Sequence, residues 1–300
     1  MYRRFFCFIA VAIFCVFQSI SAEPAARSPE NPHIVLRAFL IAYPEKVTDI
    51  DYDFDVGDWY MTVRGTRLYW AQGRLLRKED RGNFVSWRPY VDYLYPEKVP
   101  NPAQFTPEIL AQINSHVFDI RDGNSPSYNL AFYDLLYDGA TRRSVEANIT
   151  RVDYLGLRVS VHRDILPQLL RVEKKILDLA EENSEVRRFV DTIGTTEGYN
   201  WREVEHRPVR SNHSWGIAVD ILPVKWGKKN IYWYWLSHWN KKWMLISPDR
   251  RWAPPDEVIE IFESEGFIWG GKWLLWDTMH FEYRPELLVL QRWGYTGEGI

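Results

Sequence analysis

The longest periodic stretch of the chain lies between residues 164 and 193. Ile165, Leu166, Leu169, Leu170, Val172, Ile176, Leu177, Ala180, Val186, Phe189, Val190 and Ile193 recur at near-helical intervals, and Glu173, Lys174, Lys175, Glu181 and Glu182 fill the opposite face. This spacing predicts one long amphipathic helix. Pro167 is tolerated in its first turn, and Gly194 fits a C-cap. Upstream, residues 34–43 form an apolar run closed by Pro44, which predicts a strand. Residues 59–63 and 67–70, joined by Arg64-Gly65-Thr66, predict a hairpin. Residues 107–115, with Thr106 as N-cap, and residues 130–136 predict short helices. Downstream, residues 217–222 predict a strand ending at Pro223, residues 256–266 a helix, and residues 268–269 and 279–283 two further strands. This mixture of helices, strands and long loops predicts an α+β fold: a small antiparallel sheet with flanking helices, preceded by a separate mixed α/β N-terminal region.

Composition changes the picture at the N-terminus. Arg3 and Arg4 precede an uncharged apolar run over residues 5–17, followed by Ser19-Ile20-Ser21-Ala22. That order predicts a secretory signal, residues 1–22, cleaved near Ala22. The apolar run is shorter than the ~20 residues a spanning helix needs. The expected location is therefore the periplasm or cell envelope. Residues 23–32 read as a linker, 33–150 as an N-terminal accessory domain of unknown role, and 151–300 as the catalytic domain. The boundary, near 145–155, precedes a shift in composition, since 12 of the 15 Trp residues lie from Trp201 onward. Both cysteines, Cys7 and Cys15, fall in the signal, so thiolates are excluded as metal ligands of the mature chain. Without Arg3 and Arg4 the formal charge goes from −3 to −5, and the absence of a Lys/Arg cluster argues against nucleic acid as a partner.

The candidate chemistry sits in two segments. One is Ser211-Asn212-His213-Ser214-Trp215-Gly216-Ile217-Ala218-Val219-Asp220, and the other is Trp276-Asp277-Thr278-Met279-His280-Phe281-Glu282. Two imidazoles and a carboxylate hold zinc with one position open, the arithmetic of a catalytic rather than a structural site. A carboxylate three residues before the last His is placed to act as base. The gap from His213 to Asp220 suits a loop running into a strand, with Gly216 allowing the turn. His ligands also need outer partners to fix their tautomers; Glu205, Glu282 and backbone carbonyls are the candidates.

The pattern Ser-x-His-x-x-Gly-x-Ala-x-Asp followed by Asp-x-x-His-Phe-Glu resembles the zinc D-Ala-D-Ala peptidases of the VanY-like carboxypeptidase and dipeptidase family. That family shares its zinc fold with lysostaphin-type endopeptidases and the hedgehog signalling domain. The resemblance covers roughly residues 164–287. It implies Zn2+ bound by His213, Asp220 and His280, with Asp277 as base where many relatives carry Glu. Gly198-Tyr199-Asn200-Trp201-Arg202 resembles the family's Gly-Tyr-x-x-Arg element. By that likeness Arg202 stabilises the oxyanion, while Tyr199 and Ser211 contact substrate. The implied function is an exported peptidase of peptidoglycan stem peptides, foremost a D-alanyl-D-alanine carboxypeptidase. The alternatives are an endopeptidase of the same fold and a non-catalytic zinc-bearing wall-binding module. Trp235, Trp239 and Trp243 recur every four residues, which predicts one shared helix face, either packed in the core or offered to glycan or the membrane interface.

Overall fold

A computed structural model describes residues 31–90, 94–122, 126, 128–202 and 210–296. The expected signal, residues 1–22, and most of the linker lie outside the described residues.

The apolar run at 34–43 is a helix and not a strand: α1 spans Pro32–Ala42. The Asn31 side chain accepts from the His33 N–H and Pro32 takes the first turn, a start signal that outweighs a largely apolar run of ambiguous periodicity. Val35, Leu36, Ala38 and Phe39 face inward. A three-stranded antiparallel sheet follows, with β1 at Val47–Asp53, β2 at Asp58–Val63 and β3 at Thr66–Tyr69. The β2–β3 hairpin forms where expected. Its two turn residues, Arg64 and Gly65, have φ of 46° and 81°, the left-handed pair that matches strand twist. Then come α2 (Pro107–Asp122), α3 (Ala131–Leu136) and α4 (Arg142–Glu146). Thr106 caps α2 as expected, its Oγ1 accepting from the Ile109 N–H.

A second hairpin, β4 (Ile149–Tyr154) with β5 (Leu157–His162), leads into α5 (Leu166–Glu182) and α6 (Ser184–Thr192). The single long helix expected over 164–193 is thus broken. Asn183 takes an extended conformation, and its side chain accepts from the N–H groups of Glu185 and Val186, capping α6. Continuous apolar spacing hides such a cap, because both helices bury the same side. Asn183→Ala is expected to cost about 1 kcal/mol, measurable as a lower denaturant midpoint at unchanged slope. Gly194 is not a C-cap. It lies in β6 (Ile193–Glu197), where a Cβ would come within 3.0 Å of the Val224 backbone.

The remaining elements are β7 (Ala218–Pro223), α7 (Trp233–Ser237), α8 (Asp256–Ser264), β8 (Phe267–Trp269), β9 (His280–Tyr283) and α9 (Pro285–Arg292). Strands β6, β7, β9 and β8 form an antiparallel sheet in that order. Strand alternation divides its residues by role. Val219, Ile221 and Phe281 enter the core, where Phe281 stacks on Phe262 at 3.9 Å. Asp220, His280 and Glu282 emerge on the other face. One buried cluster joins Val35 and Phe39 of α1, Met61 and Leu68 of the first sheet, and Phe132 of α3 to Leu169, Val219 and Phe281. Side chains from both sides of residues 145–155 thus share a core.

The Trp spacing does not produce a shared helix face. α7 ends at Ser237, and Trp243 lies in a separate turn, buried against Trp233 at 4.8 Å. Trp235 and Trp239 are exposed. Among the described residues no helix is long and apolar enough to cross a membrane.

Candidate metal centre

His213 sits in a tight turn at Asn212–Trp215. The Ser211 hydroxyl caps that turn by accepting from the His213 N–H at 3.4 Å. Gly216 closes it with φ +69°, and a Cβ there would meet the His162 nitrogen at 2.8 Å and Ile149 Cδ1 at 2.5 Å. Glycine is therefore required both by conformation and by space. From Gly216 the chain enters β7, which carries Asp220. His280 lies directly across the ladder, since Asp220 pairs with His280 in the β7–β9 register. Cross-strand partners project to one face, and the turn before β7 brings His213 over them.

The three side chains are buried and converge. Asp220 Oδ1 is 2.8 Å from His280 Nδ1 and 3.3 Å from His213 Nε2, and the two imidazole nitrogens are 3.3 Å apart. Outer partners fix the tautomers. His213 Nδ1 is 2.6 Å from the Gly198 carbonyl, which can only accept, so Nδ1 carries the hydrogen and Nε2 presents a lone pair. His280 Nε2 is 3.0 Å from Glu282 Oε2, so it donates to the carboxylate and leaves Nδ1 toward the centre. Three ligand atoms facing one another at these distances can share a cation. Two imidazoles and a carboxylate suit zinc, with room in its coordination for a further ligand.

The electrostatics agree. Burial pushes the Asp220 carboxyl up, but its contacts with His213 and His280 outweigh this and hold it below the usual carboxylate range. Burial likewise raises Glu282, yet His280, Arg284 and Asn212 draw it down to about 2. Burial disfavours charge on His280, while Asp220 and Glu282 raise its proton affinity well above the ordinary value. A metal ion must displace that proton, so uptake releases protons and weakens as pH falls.

Asp277 is held by its backbone. Its N–H donates to the Gly270 carbonyl at 3.0 Å, and it pairs with Tyr232 across an antiparallel bridge. A Cβ at Gly270 would lie 2.5 Å from the Asp277 carbonyl oxygen, so the contact depends on glycine. Asp277 Oδ1 is buried with no hydrogen-bond partner among the described residues. Burial and the Asp220 charge push the carboxyl up to about 8, against opposing pulls from His280 and Arg202. A carboxyl in this position can act as a general base once a cation at the centre favours its ionised form.

The other expected residues are placed as follows. Arg202 is exposed; Ser214 Oγ accepts from its N–H at 3.1 Å and donates to its carbonyl at 2.7 Å. Its charge reaches both Asp277 and Tyr232. The Tyr199 hydroxyl donates to Glu146 at 3.2 Å. The Ser211 hydroxyl is engaged as a cap. Of the outer-partner candidates, Glu282 and a backbone carbonyl, that of Gly198, are in place, and Glu205 lies outside the described residues. Two neighbours carried no signal in the sequence. Tyr232 reaches Asp277 through the fold alone, and the Trp273 ring packs 5.5 Å from that of His280.

Residues 205–283 match the D-alanyl-D-alanine carboxypeptidase family model. That span contains Ser211, His213, Asp220, Asp277 and His280. Tyr199 and Arg202 precede it, so their roles rest on the Gly-Tyr-x-x-Arg likeness. Residues 35–92 match a domain of unknown function. Neither a curated protein nor a solved structure matches the chain. The carboxypeptidase-family segment and the His213–Asp220–His280 cluster together support a zinc metallopeptidase with peptidoglycan peptides as its substrate class.

Proposed function

We propose that this protein is an exported zinc D-alanyl-D-alanine carboxypeptidase that removes the terminal residue of peptidoglycan stem peptides in the periplasm or cell envelope. The observation that carries the reading is the convergence of His213, Asp220 and His280 beside Asp277, whose buried Oδ1 has no hydrogen-bond partner among the described residues. His213, Asp220 and His280 would hold the zinc, which when bound would supply Lewis acidity toward the scissile carbonyl and water. Asp277 takes a proton from the attacking water and delivers it to the departing amine, so one carboxyl serves as base and then as acid. Arg202 places its cation beside the carbonyl oxygen as negative charge develops there. Gly198 and Glu282 keep the imidazoles in the tautomers that this chemistry needs.

The test is mass spectrometry of pentapeptide muropeptides incubated with the zinc-loaded protein. Loss of one terminal alanine is expected, and Arg202→Ala is expected to slow it by ~10²–10³-fold, the usual effect of removing an oxyanion donor. Cleavage within the stem or cross-link would replace the carboxypeptidase by an endopeptidase of the same chemistry. Zinc binding with every muropeptide left intact would replace the enzyme by a binding module.

A further inference from the structure

A line of buried side chains leaves the metal centre through Glu282. Glu282, which holds His280 at 3.0 Å, also accepts from Asn212 Nδ2 at 2.6 Å and from Arg284 Nη1 at 3.4 Å. Arg284 Nε donates to Glu286 Oε1 at 2.5 Å, and the other Glu286 oxygen accepts from the Tyr43 hydroxyl at 2.7 Å. Glu282, Arg284 and Tyr43 are each 5–6% exposed and Glu286 is 0% exposed. The Arg284 guanidinium also lies over the rings of Tyr90 at 5.1 Å and Tyr133 at 5.8 Å.

The origin of these groups matters. His280, Glu282, Arg284 and Glu286 alternate along β9 and into the first turn of α9. Tyr43, Tyr90 and Tyr133 come from the N-terminal region, where Tyr43 is the C-cap of α1 and α1 packs on α9. Tyr43 and Tyr90 lie within the segment that matches a domain of unknown function. A buried carboxylate needs a fixed counter-charge, and a buried guanidinium needs its donors satisfied. Arg284 meets the first need for Glu282, and Glu286 and the tyrosine rings help to hold it in place.

We infer that the N-terminal region is a working part of the metal centre, with Tyr43 acting as a positioning residue that holds His280 in its ligating orientation through Glu286, Arg284 and Glu282. The inference rests on the zinc reading of the site. It gives residues 33–145 a function that does not require a binding partner.

The experiment measures zinc affinity by chelator competition at fixed pH, and the visible absorption of the cobalt-substituted protein, for the complete chain. Tyr43→Phe removes one hydroxyl and keeps the ring. It is expected to weaken zinc binding by ~10-fold, the lower end of the effect of outer partners, and to alter the cobalt bands. Glu286→Gln is expected to weaken it further; if that variant does not fold, Tyr43→Phe carries the test alone. Val35→Ala, a core change in the same helix outside the relay, is expected to lower thermal stability and leave zinc affinity unchanged. Wild-type affinity and cobalt bands in Tyr43→Phe would overturn the inference. So would an equal loss of affinity in Val35→Ala, which would make the effect one of stability alone. A wild-type chain that takes up no zinc would overturn the reading of the site as well, which separates the two failures.

Discussion

Asp277→Asn is expected to lower kcat by ~10²–10⁴-fold, the range for a lost general base, and to leave zinc bound, since Asp277 is not among the three converging ligands. The same change should stabilise the metal-free protein. Folding pushes the Asp277 carboxyl up to about 8 from an ordinary value of 3.8, by burial first and the Asp220 charge second. Between those values the unfolded chain ionises this group while the folded chain retains its proton. The folded state binds more protons there, so stability falls as pH rises from ~4 to ~8. Asparagine has nearly the same shape and no proton to lose, so it removes that penalty. Each pKa unit is worth about 1.4 kcal/mol, and the residue's partial exposure reduces the total to an expected gain of ~2 kcal/mol at pH 8. Near pH 4 the two proteins should melt together. Thermal melts of the metal-free forms at pH 4 and pH 8, beside turnover of the zinc-loaded forms, check both halves. A gain in stability that accompanies a loss of catalysis is the signature of a site strained for function.

His213→Ala is expected to weaken zinc binding by at least ~100-fold, beyond the range seen when only an outer partner is removed, and to abolish turnover at ordinary zinc concentrations. The reason lies in the geometry. His213 is the ligand brought from outside the β7–β9 ladder, and its Nε2 closes the cluster over Asp220 and His280 at 3.3 Å from each. The remaining pair already has a stable partnership without metal, since His280 Nδ1 lies 2.8 Å from Asp220. With His213 gone, a proton on His280 satisfies both residues and zinc has little advantage over it. Equilibrium dialysis with zinc measured by atomic emission would show the loss. His213→Gln should not restore binding, because an amide carbonyl is a poorer zinc ligand than imidazole.

The metal centre was more legible in the sequence than the fold around it. The residue types of the converging cluster were evident in the two short segments, and Gly216 announced the turn between His213 and Asp220. The partners of the ligands were only partly legible. Glu282 stands two residues from His280 on one strand, so it shares the face of that ligand and could be anticipated. The Gly198 carbonyl could be foreseen only as a class of acceptor, because any backbone carbonyl carries the same chemistry. The pairing of Tyr43 with Glu286 was invisible, since 243 positions of chain separate them and their meeting depends on α1 packing against α9.

Among the elements, alternation found the strands that carry the site, because one face is core and the other is chemistry. It failed at residues 34–43, where an apolar run broken only by Arg37 fits a strand or a buried helix equally and Asn31 and Pro32 distinguish them. It failed again at Asn183, whose cap divides two helices that bury the same side. The Trp spacing misled for a related reason. A repeat of four implies a helix face only while the helix continues, and α7 stops after Ser237.

The most direct measurement is an anomalous difference map from a crystal of the protein, grown with one equivalent of zinc and recorded on both sides of the zinc absorption edge. The account predicts one strong peak, within bonding distance of His213 Nε2, Asp220 Oδ1 and His280 Nδ1, with the Asp277 carboxyl facing the open side. A map with no peak among these three atoms, or with its zinc held elsewhere on the chain, would contradict it.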